Sequence, residues 1–165
     1  MLTVSRKDFK SKTAMLHSMS SKILGFQFQL LWYDDQVLQL RITGWNGEFG
    51  GAADVYVGVG GLAEAAAKLE GFPIKISDFR HIEFGGFGPQ AAGGAISMHF
   101  SCKDGAGHAL VEATIESDYA GASTAQSAAF FGSVEPTAID NFVTEVRAME
   151  SNRRGEALLR ISAVT

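Results

Sequence analysis

An α+β fold, with a largely antiparallel sheet of about seven strands and two helices packed on one face, is predicted by three observations. Apolar and polar residues alternate over most of the chain, the alternating runs are separated by short turn segments, and only two stretches carry helical spacing. Hairpins therefore outnumber strand–helix–strand units, which favours α+β over a parallel α/β sheet.

The elements follow in order. Phe26, Phe28, Leu30 and Trp32 fall on one face of a first strand, and Leu38, Leu40 and Ile42 on the same face of a second. A three-residue loop, Asp34-Asp35-Gln36, pairs 32 with 38, 30 with 40 and 28 with 42; a two-residue loop would oppose Phe28 to Arg41, so the longer turn is expected. A third strand, roughly 48–57, runs through Ala53, Val55 and Val57. Leu62, Ala65, Ala66, Leu69 and Phe72 then recur at helical spacing. After a strand at 79–84, the clearest hairpin spans 94–117. Ile96, Met98, Phe100 and Cys102 alternate with polar residues, as do Ala109, Val111, Ala113 and Ile115. A two-residue type II′ turn at Gly105-Ala106, glycine first, pairs apolar with apolar and opposes His99 to Glu112 on the outer face. A strand at about 123–134 precedes a second helix through Ile139, Phe142, Val143, Val146 and Met149, with Pro136 suited to its first turn. A last strand is expected at 156–164.

Composition narrows the class. Glycine supplies 19 of 165 residues, well above average usage, but with no three-residue period, so collagen is excluded. With 46% hydrophobic and 19% charged residues the chain is not a disordered one. A single cysteine can form neither an internal disulfide nor a multi-cysteine zinc site. No run of 18 apolar residues exists to span a membrane, and the N-terminus lacks the apolar core of a signal peptide. One domain over 26–165, preceded by a basic extension at 1–25, and a cytoplasmic location are the expectations.

Charge is unevenly placed. Residues 1–25 hold five basic groups and one acid, residues 26–146 five basic groups against fifteen acids, and residues 147–165 four arginines against two acids. A middle segment this acidic repels nucleic-acid phosphates and accelerates encounter with a basic protein, although acidity also simply keeps a protein in solution.

Several motifs resemble catalytic or ligand sites. Gly58-Val59-Gly60-Gly61-Leu62-Ala63 fits the G-x-G-x-x-[G/A] pattern at a helix start, but its neighbours are hairpins and Asp78 precedes its strand instead of ending it, so a strand-to-helix connection is the better reading. His81-Ile82-Glu83 has the H-x-E form of zinc deaminases without the cysteines they need. Cys102 and His99 point to opposite strand faces, which prevents a thiolate–imidazole dyad and leaves Cys102 as packing. No G-x-S-x-G elbow or P-loop occurs. His99 with Glu112 reads as a proton-transfer couple or as a surface pair. The glycine-rich segment Phe84–Gly94 reads equally as an adaptable recognition loop or as a connector with Phe84 in the core. No catalytic residue, cofactor or metal site is assigned.

Leu40-Arg41-Ile42 running into Gly47-Glu48-Phe49-Gly50-Gly51, the turn leading to Gly107-His108 and Glu112, and Val134-Glu135-Pro136 opening a helix occur in an order that resembles the WapI-like bacterial immunity proteins and a related uncharacterised family, over about residues 37–150. The resemblance implies a cytoplasmic, non-enzymatic protein that binds and neutralises a toxin domain; from the charge and the lack of an apolar span, no nucleic acid or membrane partner is expected. The expected contact surface is the outer face of the 94–117 hairpin, Glu112 and Glu116, extended by Asp118 and Tyr119, with Trp45 and Phe87 as aromatic anchors. The alternative is a small-molecule-binding protein or enzyme using the glycine-rich connections at 58–61 and 84–94.

Overall fold

A computed structural model describes residues 23–163, so the basic extension lies almost wholly outside the described residues. The strands are β1 (Gly25–Tyr33), β2 (Val37–Trp45), β3 (Gly50–Gly58), β4 (Phe79–Gly85), β5 (Ala95–Cys102), β6 (Ala109–Glu116), β7 (Ser127–Val134) and β8 (Glu156–Arg160). The helices among the described residues are α1 (Gly61–Leu69) and α2 (Pro136–Asn152). The α+β class is as expected, but the described residues form eight strands, divided between two antiparallel sheets ordered β3-β2-β1-β8 and β4-β5-β6-β7.

The alternating residues explain why two sheets meet. Phe26, Phe28, Leu40, Ile42 and Val55 of the first sheet and Ile82, Met98, Phe100, Val111 and Phe130 of the second join one buried cluster. Phe26 stacks on Phe130 across the sheets at 5.4 Å, and Phe28 meets Phe84 edge-on at 5.4 Å. The helices complete this core: Phe142 of α2 packs edge-on against Phe28 at 5.2 Å, while α1 contacts β3, β4 and α2. Arg147 grips both carboxylate oxygens of Glu70, tying α2 to the end of α1. Pro136 begins α2 from an extended Glu135, the conformation proline imposes on its predecessor.

Turn chemistry differs from the expectation at both hairpins. Between β1 and β2, Asp34 accepts hydrogen bonds from the Gln36 and Val37 amides, and its own N–H reaches the Val37 carbonyl, which closes a two-residue turn. A bulge between Leu30 and Trp32 takes up the extra residue: Phe28 still faces Ile42 and Leu30 faces Leu40, but Trp32 opposes Gln39 and is 50% exposed instead of core. Between β5 and β6 the register is the one expected, Cys102 with Ala109 and His99 with Glu112. The left-handed residue, however, is Gly107 (φ 88°) and not Gly105, so the turn is not type II′. Asp104 organises it by accepting the Ala106 and His108 amides. Strand β7 starts at Ser127, later than expected, because residues 117–126 form a loop closed by the Ser117 N–H on the Gln126 carbonyl. Strand β8 ends at Arg160.

Candidate protein-binding face

Among the described residues, no helix covers the outer face of the second sheet. Strand registers set its side chains in rows: Phe79, Ser101, Leu110 and Ser133; His81, His99, Glu112 and Phe131; Glu83, Ser97, Thr114 and Ala129. The inner alternation that buries Ile82, Met98, Ala113 and Phe130 is what turns these residues outward. Phe79 is 57% exposed and Phe131 47%, at opposite edge strands of the sheet. These strand positions hold no lysine or arginine, and Lys103 reaches only a corner, through a 3.3 Å bond to Ser133. Arg80 points the other way, over the Phe72 ring and onto Asp78 and the Lys68 carbonyl.

The expected contact residues distribute unevenly about this face. Glu112 is exposed at its centre. Glu116, half-buried at its end, accepts the Gly88 amide at 2.8 Å and so tethers the glycine-rich loop that carries the exposed Phe87. Phe84, at the start of that loop, is buried in the core, as the connector reading expects. Asp118 is exposed and accepts the Ala120 amide, and Tyr119 is half-buried in the same loop. Trp45 does not share this surface: it lines a recess of about 450 Å³ on the first sheet with Ile23, Gln27, Thr43 and Ala52.

Six participants were not among the expected contact residues: Phe79, His81, Glu83, Ser97, His99 and Phe131. The His81 and His99 rings stack at 4.2 Å, nearly parallel, and the Phe79 ring lies 5.7 Å from His99. Both Nε2 atoms approach Ser97 Oγ, at 2.9 and 3.3 Å. This is not a hydrolytic triad. Glu83 approaches His81 at the same Nε2 that meets the serine (3.8 Å), whereas a base is oriented through its other nitrogen. The signal for Phe131 was legible: Phe130 and Phe131 are consecutive in a strand, so one of them had to face outward.

The dinucleotide-like glycines are not an open anion site, because the Gly60 N–H at the start of α1 donates to the protein's own Glu150 carboxylate. Gly58, Gly61 and Gly85 do line one cleft with Glu64 and Lys68, but its volume is about 220 Å³, below the ~300 Å³ at which ligand pockets begin. Cys102 is half-buried instead of core, its thiol donating to the Asp104 carbonyl. His108 spans two elements: Nδ1–H donates to Asp104 (2.7 Å) and Nε2 lies 3.4 Å from Glu135 at the head of α2. Its pKa is raised, first by the Asp104 hydrogen bond and then by the charges of Asp104 and Glu135. Among the described residues, no three His, Cys, Asp or Glu side chains form a group able to enclose a metal ion. No helix among them is long and apolar enough to cross a membrane.

Compared with protein-family models, curated proteins and solved structures, the chain matches none.

Proposed function

We propose that this chain is a non-enzymatic protein-binding module, an immunity protein that acts in the cytoplasm by binding and neutralising a cognate toxin domain. The observation that carries the reading is the outer face of the second sheet, exposed among the described residues, with carboxylates at Glu83, Glu112 and Glu116, exposed aromatics at its edges and no lysine or arginine at its outward strand positions. Such a face suits a partner with a basic, partly apolar surface: the charges steer encounter and the phenyl rings supply the desolvated contacts.

Four strands at ~4.8 Å spacing and seven residues at ~3.4 Å give a projected face of about 450 Å². A stable interface buries about 800 Å² on each partner, so the sheet alone is too small. The flanking loops with Phe87 and with Asp118 and Tyr119 would provide the remainder.

The test is co-expression and co-purification with the C-terminal domain of a large secreted protein encoded beside this chain. The expected result is a stable complex and rescue from toxicity, with Glu112→Lys and Phe131→Ala each weakening the complex by more than about tenfold. Absence of both complex and rescue would overturn the proposal.

A further inference from the structure

The described chain begins beside the outer face of the second sheet. The Leu24 carbonyl accepts the Ile161 N–H at 3.5 Å, and the next residue, Ser162, exchanges backbone hydrogen bonds with Ser133 at the end of β7. The Leu24 side chain also lies against Gly47, which lines a recess of about 410 Å³ with Phe49, Ala129 and the outward-facing Phe131. Residues 1–22 join the chain at this seam between the sheets, and they hold Arg6, Lys7, Lys10, Lys12 and Lys22 against Asp8 alone. Outward from the seam, the face presents first Phe131 on β7, then Glu112 on β6, and Glu83 on the far strand β4. Backward from Ile23, the sequence presents first Met19, Leu16 and Met15, then Lys12, Lys10, Lys7 and Arg6. Apolar groups come first in both series, and opposite charges follow.

We propose that the basic segment 1–22 is the occupant of this face, running from the seam over Phe131 toward Glu112 and Glu83. Length permits it: Lys12 stands eleven residues before Ile23, up to ~36 Å of extended chain, whereas the two edge strands of the sheet lie only ~15 Å apart. Charge favours it, because five basic groups meet carboxylates that have no lysine or arginine at the neighbouring outward positions. Area favours an occupant from the same chain. The strand face of about 450 Å² falls short of the roughly 800 Å² that a stable interface buries on each partner. A tethered segment acts at an effective concentration in the millimolar range, so a few exposed ion pairs and one apolar contact suffice. A partner for this face must then displace the segment, which makes 1–22 an internal competitor. The inference rests on this chain alone and not on a toxin partner.

The experiment couples lysine amines directly to carboxylates with a water-soluble carbodiimide on the dilute full chain, and maps the links by mass spectrometry. Links within one chain from Lys7, Lys10 or Lys12 to Glu112 and Glu83 are expected, and they should become fewer in about 0.5 M salt, which screens exposed charges. A second readout is the rate of tryptic cleavage after Arg6, Lys7, Lys10 and Lys12. Cleavage should be faster by about threefold or more in the Glu83→Gln/Glu112→Gln double variant than in the parent. Asp140→Asn, at an exposed position of α2 away from this face, should leave the rate unchanged. Glu83 and Glu112 are both exposed, and circular dichroism confirms folding of the variants. Links confined to other carboxylates, links between chains, or equal cleavage of the parent and the double variant overturn the proposal. No toxin enters the experiment, so its failure is distinct from failure of the immunity reading.

Discussion

Gly44→Ala is a direct test of how the two sheets meet. Gly44 lies in β2 beneath the Phe26–Phe130 stack, and a β-carbon there would stand 2.7 Å from Phe130 Cζ and 2.8 Å from Phe26 Cδ1 and Cε1. The backbone at Gly44 is not left-handed, so alanine incurs no conformational strain. At an open position of this kind Gly→Ala stabilises by about 0.4–1 kcal/mol through the unfolded chain. Here the ring atoms belong to side chains at 0% and 5% exposure that have little room to retreat, and overpacking costs about 1–3 kcal/mol. The second effect wins, for a net loss of about 1–2 kcal/mol. Gly58 is the control: its added β-carbon meets nothing within 4 Å and its backbone is not left-handed, so Gly58→Ala should be neutral to about 1 kcal/mol stabilising. Urea unfolding with a shared m-value measures both. Phe130→Leu removes Cζ, the nearest of the atoms that crowd the new methyl, and frees the stacked Phe26 ring to shift, so the double variant with Gly44→Ala should be more stable than additivity predicts by about 1 kcal/mol. A Gly44→Ala protein as stable as the parent, or strict additivity with Phe130→Leu, would refute this account of the sheet–sheet contact.

The other predictions concern charge. His108 has a folded pKa above its unfolded value, so its pairing stabilises fully below about pH 6.5 and fades as the pH rises through the folded value. The stability difference between the parent and His108→Gln should therefore be flat from about pH 5.5 to 6.5 and shrink by about pH 8.5 in a series of urea titrations. Glu150→Ala strips the acceptor from the Gly60 N–H and should cost about 1–2 kcal/mol in thermal or urea unfolding, with Glu150→Gln losing less because it keeps an acceptor oxygen. Glu112→Lys, at an exposed position, should change stability by less than about 0.5 kcal/mol while slowing association with a basic toxin domain in stopped-flow measurements.

Period-2 alternation identified the core-facing residues of β2, β3, β5 and β6 because burial on one face is a local property of each strand. Partnership between strands is not local. β1 pairs with β8 through Phe28 and Ala157, far apart in sequence, and no alternation in either strand specifies that neighbour. One expected sheet therefore became two. Turn geometry was misread where a side chain intervenes. Asp34 closes a shorter turn than register arithmetic allowed, and the bulge at Leu31 reconciles the two. The His99–Glu112 pair was legible because one hairpin contains both residues. Aligning His81 and Phe131 with them required the β4–β5 and β6–β7 registers as well.

The two sheets supply their own comparison for the reading that surface acidity only keeps the chain in solution. The outward positions of the first sheet hold Gln27, Gln29, Gln39 and Thr43, with Arg41 paired to Asp54 and Gln27 bonded to Glu156. Its exposed Tyr56 keeps a polar tip, which lies 3.5 Å from the Gln39 amide. Apart from Leu31, Trp32 and Tyr33 at the end of β1, which are about half exposed, that sheet meets solvent with neutral amides, hydroxyls and charges answered by their opposites. The second sheet has the same number of strands, the same alternation and the same solvent, but places phenyl rings at Phe79 and Phe131, stacked imidazoles between them, and carboxylates with no lysine or arginine at the outward strand positions. Solubility alone gives no reason for the two faces to differ. A partner meeting only the second sheet does, because exposed phenyl groups and carboxylates with no lysine or arginine on that face become favourable once a complementary surface covers them.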